Sequence, residues 1–160
     1  MTRTADLDAD IALALRLADA AGEAIRPHFR SVTAERKGDS TPVTLADRAA
    51  EEAMRAILRA EVPADTIIGE EFGSTAGTSG RSWVLDPIDG TAGFLAGRPL
   101  FGTLIALVVE GFPLLGVIDQ PILGERWVGV IGRPTTLNGK PVRTRPCREL
   151  RSEEHTSELQ

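Results

Sequence analysis

The chain has 160 residues, enough for one ordinary domain, and 42% hydrophobic with 26% charged residues predicts a soluble globular protein. The formal net charge of −5 argues against a nucleic-acid or anionic-membrane partner. The one cysteine, Cys147, excludes an internal disulfide and fits a reducing, cytoplasmic location, and the acidic start of the chain does not resemble a basic export signal.

Two amphipathic helices are predicted near the start of the chain. Apolar residues recur at spacings of three and four over Leu7–Phe29, and Pro27 is expected to bend or close the last turn. The polar stretch Arg30–Ser40 is predicted to be a loop. A second helix is predicted over Thr44–Ala60, with its first residue as the N-cap. On spacing alone, Asp47 is a favourable charge in the first turn of that helix.

A short strand is expected at Thr66–Ile68, where three β-branched residues stand together. It ends in Gly69-Glu70-Glu71, and a carboxylate pair at a strand end is often just a solvated turn. The next stretch, Phe72–Arg81, is rich in Gly, Ser and Thr and is predicted to contain neither helix nor strand.

The strongest chemical pattern begins at the apolar run Trp83-Val84-Leu85, which Asp86 and Asp89 follow at once. This is typical of a buried strand that delivers carboxylates to its C-terminal edge, the usual place for ligands in α/β sheets. Pro87 fixes its own φ and keeps Asp86 out of helical geometry, so a stiff turn is expected.

The two residues after this pair, Gly90 and Thr91, complete the pattern. Gly90 allows the backbone to approach a bound group, and Thr91 can cap a short helix whose free N–H groups face an anion. Carboxylates for a hard cation beside amides for a phosphate indicate metal-assisted phosphate chemistry. Taken as bare dipeptides, Asp-Pro and Asp-Gly are more often plain turn formers.

Further strands are predicted downstream. The apolar runs Thr103–Val109 and Phe112–Asp119 flank Glu110-Gly111, which is a hairpin signal. Arg126–Ile131 is predicted to be another strand, and Asn138-Gly139 a tight turn. Long helices with several, partly antiparallel strands favour a layered α/β sandwich with the acidic loops on one rim.

The string Asp86–Thr91 matches the metal-binding signature of the inositol monophosphatase family, a group of lithium-sensitive, magnesium-dependent phosphomonoesterases. Gly102–Leu107 and Gly116–Pro121 resemble segments of its histidinol-phosphatase branch, which commonly read Gly-Thr-Leu-Ile-Ala-Leu and Gly-Val-Ile-Asp-Gln-Pro. The resemblance covers Leu7–Val142 and implies the α/β sugar-phosphatase fold of that family, with residues 1–150 as its N-terminal portion.

The resemblance also implies a ligand set for the metal. Glu70, Asp86 and the backbone carbonyl of Ile88 would hold a first Mg²⁺, and Asp86 would bridge to a second ion that Asp89 also binds. Two or three ions per site are expected in the full-length protein. Oxygen donors favour Mg²⁺ over Zn²⁺, because the sequence has no clustered Cys or His.

Catalytic and substrate-binding roles follow from the same resemblance. Thr91, hydrogen-bonded to Asp47, would orient and deprotonate the attacking water alongside Glu70, and the amides at the start of the short helix would hold phosphate oxygens. The expected substrate-binding residues are Asp89, Gly90, Thr91 and Ala92. Ala92 and Gly93 depart from the family pattern, where related sequences often place a basic and a larger polar residue.

The implied reaction is hydrolysis of a small phosphorylated metabolite, histidinol phosphate by the Gly116–Pro121 match, with an inositol or other sugar phosphate as the alternative. A homodimer is expected at full length. Family members are considerably longer, and their later half carries a Trp-Asp motif that supplies a further metal ligand. A non-catalytic fragment therefore stays open as an interpretation. Arg151–Gln160 looks like translated sequencing adapter, or else is a genuine acidic terminus.

Overall fold

The computed structural model describes residues 7–31 and 42–146, which form helices around one mixed sheet. The helices are α1 (Leu7–Ile25), which continues into a 3₁₀ turn (Arg26–His28), α2 (Pro42–Glu61) and α3 (Thr91–Leu95). The strands are β1 (Thr66–Gly69), β2 (Gly73–Thr75), β3 (Arg81–Asp89), β4 (Gly102–Val109), β5 (Phe112–Gln120), β6 (Glu125–Val130), β7 (Thr136–Leu137) and β8 (Lys140–Pro141). The predicted tail Arg151–Gln160 and residues 32–40 of the predicted first loop lie outside the described residues.

The sheet has the strand order β2-β1-β3-β4-β5-β6-β7-β8. β1 and β3 are parallel, and the other neighbouring pairs are antiparallel. Because β1 and β3 run in the same direction, their carboxyl ends meet at one edge of the sheet. This confirms the predicted α/β layering, including both predicted hairpin turns, Glu110-Gly111 and Asn138-Gly139.

One face of the sheet is covered by α1 and α2. Alanines at helical spacing, such as Ala14, Ala18 and Ala21, are fully buried and let the first helix pack closely. Trp83 and Leu85 of β3 are buried in the same core. Burial of each large apolar side chain contributes about 1.5–3 kcal/mol, so the core fixes β3, the strand that carries the acidic motif.

The opposite face of the sheet is uncovered within the described ranges. Val84 exposes 37% and Ile118 49% of its surface. A cavity of about 720 Å³ runs along this face and extends to Asp86. In the part of the chain that is described, no helix is long and apolar enough to cross a membrane.

Both predicted helix caps are wrong. α2 begins at Pro42, so Thr44 lies inside the first turn and is not the N-cap. A proline suits this position, because the first N–H groups of a helix have no partner within it. Gly90, with φ +95°, precedes α3, so Thr91 is the first helical residue and does not cap the helix.

The stretch predicted to have no strand contains β2, which forms a hairpin with β1. Gly73 has φ +67°, the left-handed conformation that closes a three-residue hairpin loop over Glu70–Phe72. The Gly-Ser-Thr sequence of β2 has little strand propensity, so the pairing depends on the turn and on contacts from α2. The two glutamates therefore sit at the tip of a hairpin.

Candidate active site

Three parts of the fold bring five carboxylates to the carboxyl ends of β1 and β3. Glu70 and Glu71 lie in the β1–β2 loop, Asp86 and Asp89 end β3, and Asp47 lies on α2 near its start. Their proximity shows in their electrostatics: Glu71, Glu70 and Asp86 all act on Asp47. Glu70 and Asp89 in turn act on Asp86. The fold therefore assembles the acidic rim that the sequence predicts.

An irregularity in β3 shapes this rim. The β3–β4 register shifts between Asp86 and Asp89, so two residues of β3 face one of β4. Pro87, which has no N–H to donate, lies in this bulge, and the Thr103 hydroxyl donates to the Pro87 carbonyl oxygen at 2.8 Å. The Ile88 side chain is buried in the core. The bulge thus anchors the backbone between the two aspartates.

The pKa of Asp47 is raised from 3.8 to about 7. Burial of the carboxyl group is the largest cause, followed by the negative charges of Glu71, Glu70, Asp86 and Glu51. Asp47 is therefore a buried carboxyl group that other acidic side chains surround.

The pKa of Asp86 is raised to about 6, first by burial and then by a side-chain hydrogen bond with Glu70. The charges of Glu70 and Asp89 raise it further, whereas a hydrogen bond from the Ile88 backbone lowers it. Oδ1 of Asp86 is buried and has no hydrogen-bond partner. A buried carboxylate oxygen without a partner is costly unless a donor or a cation satisfies it.

No Lys, Arg or His within residues 7–31 and 42–146 forms an ion pair with any of the five carboxylates. As placed, no three His, Cys, Asp or Glu side chains of these ranges are grouped so that they could hold one metal ion. The oxygen donors, the uncompensated charge and the orphaned Asp86 oxygen fit a hard divalent cation. Closure around an ion requires these side chains to turn towards a common point.

The sequence profile of the inositol monophosphatase family matches residues 6–160. The chain belongs to this family. The bifunctional phosphatase IMPL2 of Arabidopsis thaliana chloroplasts is 51% identical over 148 residues, 91% of this chain and 43% of that protein. The histidinol-phosphatase of Chlorobaculum parvum is 47% identical over 135 residues, 83% and 52% of the two chains.

Solved structures of the family share the fold. An inositol monophosphatase from Zymomonas mobilis superposes with a TM-score of 0.79 at 54% identity, covering 90% of this chain and 56% of that one. The chain thus spans about half the length of the family members it matches. The α/β fold of the family that the sequence predicts is therefore shown.

One expected contact of the family site is not formed here. Thr91 Oγ1 donates to the Ile88 carbonyl oxygen at 3.4 Å, and not to Asp47. The Ile88 carbonyl lies three residues back along the same chain, so this local acceptor is reached without crossing to α2. Thr91 therefore contacts a backbone oxygen that the resemblance implies as a metal ligand.

The departure from the family pattern at Gly93 has a steric basis. A Cβ on Gly93 would lie 2.6 Å from the backbone oxygen of Leu100, which crosses α3. The neighbouring Ala92 is exposed. Because the Leu100 backbone packs closely on α3, position 93 has room only for glycine in this family member.

Asp119 belongs to the segment that resembles the histidinol-phosphatase branch. Its hydrogen-bond partner is Arg126, and not a residue of the acidic rim. It is buried and accepts a hydrogen bond from Arg126 Nε at 2.7 Å. Arg126 also donates to Asp19 of α1 at 2.9 Å. The segment therefore stabilises the packing of α1 on β5 and β6.

Sequence reasoning missed one buried acidic residue beside the rim, Glu51 of α2. Its side chain is fully buried and forms an ion pair with Arg55 at 2.6 Å. The available signal was its spacing of four residues from Asp47, which places both on one face of the helix. That signal does not distinguish a buried carboxylate from an ordinary helical Glu–Arg pair.

Proposed function

We propose that this chain is the N-terminal half of a Mg²⁺-dependent phosphomonoesterase. The observation that carries the proposal is the acidic rim, where five carboxylates meet without a cationic partner among the described residues. Structural carboxylates in this molecule are paired with arginines, so the unpaired set requires another source of positive charge. The expected homodimer belongs to the same proposal.

The proposed metal ligands are Glu70, Asp86, the Ile88 carbonyl and Asp89, for two or three ions in the full-length protein. The electrostatic effect of Glu70 on Asp86 supports this assignment, since it indicates that the two carboxylates lie near each other. Bound Mg²⁺ would offset the charge of a phosphate and lower the pKa of a water.

The residues of the chain then divide the remaining work. Asp47, which is buried beside the proposed ligands, accepts the proton that the attacking water loses, with Glu70 alongside. Thr91 orients that water when its hydroxyl turns from the Ile88 carbonyl to Asp47. Water forms the new bond to phosphorus as the bond to the ester oxygen breaks, and the ester oxygen takes up a proton from solvent water and leaves as the alcohol. The substrate lies against Asp89, Gly90, Thr91 and Ala92.

The favoured substrate is histidinol phosphate. The histidinol-phosphatases of Chlorobaculum parvum and Mycobacterium tuberculosis, at 47% and 45% identity, support this choice. An inositol or other sugar phosphate is the second candidate, because the Zymomonas mobilis inositol monophosphatase is 54% identical over the matched part.

The test compares kcat/KM of the full-length protein for L-histidinol phosphate and for myo-inositol 1-phosphate, both at saturating Mg²⁺. A higher value for L-histidinol phosphate is expected. Equal values, or a preference for the inositol ester, would reject this substrate and leave the phosphatase proposal standing. Lack of turnover with any phosphomonoester would reject both and favour a non-catalytic role.

A further inference from the structure

Glu51 joins α2 to the loop that carries Glu70. Its side chain has 0% exposure, and its carboxylate accepts two backbone hydrogen bonds from the β1–β2 loop. The Glu71 N–H donates to Oε2 at 2.7 Å, and the Phe72 N–H donates to Oε1 at 3.3 Å. These contacts fix the backbone immediately after Glu70, and a separate bond from the Glu70 N–H to the Leu85 carbonyl ties it to β3.

Arg55 adds further contacts to the same hairpin, and we call the Glu51–Arg55 pair with its contacts to the hairpin the latch. Its Nε donates to Oε1 of Glu51 at 2.6 Å, which compensates the buried charge. Its other nitrogens reach the far side of the hairpin: Nη1 donates to Thr75 Oγ1 at 3.1 Å and Nη2 donates to the Gly73 carbonyl. One buried ion pair therefore holds the loop and the β2 arm of the hairpin against α2.

Gly69 leaves the space that Glu51 occupies. A Cβ built on Gly69 would lie 1.9 Å from Oε1 of Glu51, a distance that no real side chain tolerates. The backbone of Gly69 is not in the left-handed region, so the constraint is space and not conformation. The glycine of the Gly69-Glu70-Glu71 motif is thus explained by the carboxylate that lies against it.

We propose that Glu51 is a positioning residue that sets the location of Glu70 relative to Asp47. Asp47, Glu51 and Arg55 follow one another at intervals of four residues, so one face of α2 carries the proposed base and the latch for the proposed metal ligand. This inference rests on the proposed function, in which Glu70 binds a metal. Outer groups that hold ligands typically change metal affinity about 10–100-fold when mutated.

The test uses the full-length protein with Glu51→Gln, which keeps the size of the side chain but turns one acceptor into a donor. The Mg²⁺ concentration for half-maximal activity is expected to rise about tenfold, with little change in kcat at saturating Mg²⁺. Faster amide hydrogen exchange at Glu71 is expected, because the amide oxygen stays on the side of the Arg55 donor and the NH₂ group replaces the Oε2 acceptor of the Glu71 N–H.

Two control variants separate positioning from general stability. Glu52→Gln removes the neighbouring exposed carboxylate, which pairs with Arg59 at 2.9 Å, and is expected to leave both readouts unchanged. Asp65→Asn weakens another buried network, at the other end of β1. It is expected to lower the melting temperature without moving the Mg²⁺ requirement.

Gly69→Ala is a second test of the positioning role, beside Glu51→Gln. It displaces the Glu51 side chain without changing its charge and is expected to reproduce the rise in Mg²⁺ requirement. An unchanged Mg²⁺ requirement in both variants would overturn the inference, as would an equal shift in Asp65→Asn. If the wild type shows no Mg²⁺ response, the proposed function fails. Unchanged exchange at Glu71 in the Glu51→Gln protein would separately exclude the positioning contact.

Discussion

The two ends of the parallel pair β1–β3 use carboxylates in opposite ways. At the amino end, Arg81 Nη2 donates to Asp10 at 2.6 Å, and Arg81 Nε lies 3.4 Å from Asp65. Asp65 also accepts from the Trp83 indole at 3.0 Å and from the Ser79 hydroxyl at 2.6 Å. At the carboxyl end, the five carboxylates of the acidic rim form no ion pair with an arginine, lysine or histidine among the described residues.

This difference separates structural charge from charge available for a ligand. The amino end contains its own cation, so its carboxylates stabilise the fold as they stand. The carboxyl end retains charge that raises the pKa values of Asp47 and Asp86. In this molecule, a group of acidic side chains therefore indicates a cation site only where the carboxylates have no arginine, lysine or histidine as an ion-pair partner.

The largest expected effect comes from removing part of the proposed metal site at the carboxyl ends of β1 and β3. Residues 1–150 alone are expected to lose phosphatase turnover, because the resemblance implies that a further metal ligand lies in the missing half. The uncovered sheet face with Val84 and Ile118 is expected to promote aggregation as well. Residues 1–150 and the full-length protein are assayed side by side at saturating Mg²⁺. Comparable turnover by residues 1–150 would contradict this account.

The next effect tests the amino end. Arg81→Met in the full-length protein leaves Asp10 and Asp65 buried without their arginine. Breaking such a pair costs about 3–5 kcal/mol, measured as the free energy of unfolding in denaturant. Arg59→Met, which removes one partner of an exposed pair, is the control and is expected to cost about 1 kcal/mol or less. A similar loss in both variants would remove the proposed contrast.

A smaller effect tests the carboxyl end through pH. The pKa of Asp86 is raised from 3.8 to about 6, so the folded state holds its proton more tightly than the unfolded state. In the metal-free protein, Asp86 should therefore contribute a loss of stability as pH rises through about 4 to 6, on the order of 1 kcal/mol after allowance for solvent screening. The contribution is isolated as the stability of the wild type minus that of Asp86→Asn, measured by denaturant unfolding in a chelator. A difference that stays constant or rises over this window would exclude the assigned shift.

Much of this fold could be predicted from the sequence because its signals are local. Apolar patterns predict α1, α2 and the strands β1, β3, β4, β5 and β6, and the pair Glu110-Gly111 predicts the hairpin between β4 and β5. The exact starts of α2 and α3 were missed. In each case a neighbouring residue, Pro42 or Gly90, suited the boundary better than the predicted threonine cap.

The features that could not be predicted depend on long-range contacts. β2 lacks a strand pattern and is held by a turn and by Arg55 of α2. Glu51 looks like a surface residue in the sequence, and its burial becomes visible only when Gly69 is packed against it. The motif residues of the rim were named by resemblance, and their proximity is what the structure adds.

The most direct test of the contrast is the effect of Mg²⁺ on the melting temperature of the full-length protein at neutral pH. A ligand at one hundred times its dissociation constant stabilises by about 2.7 kcal/mol, which corresponds to several degrees. The account predicts this gain for the wild type and for Asp65→Asn, which starts from a lower melting temperature, and its loss in Asp86→Asn. An unchanged wild-type melting temperature, or an equal gain in Asp86→Asn, would contradict a cation site at the carboxyl end.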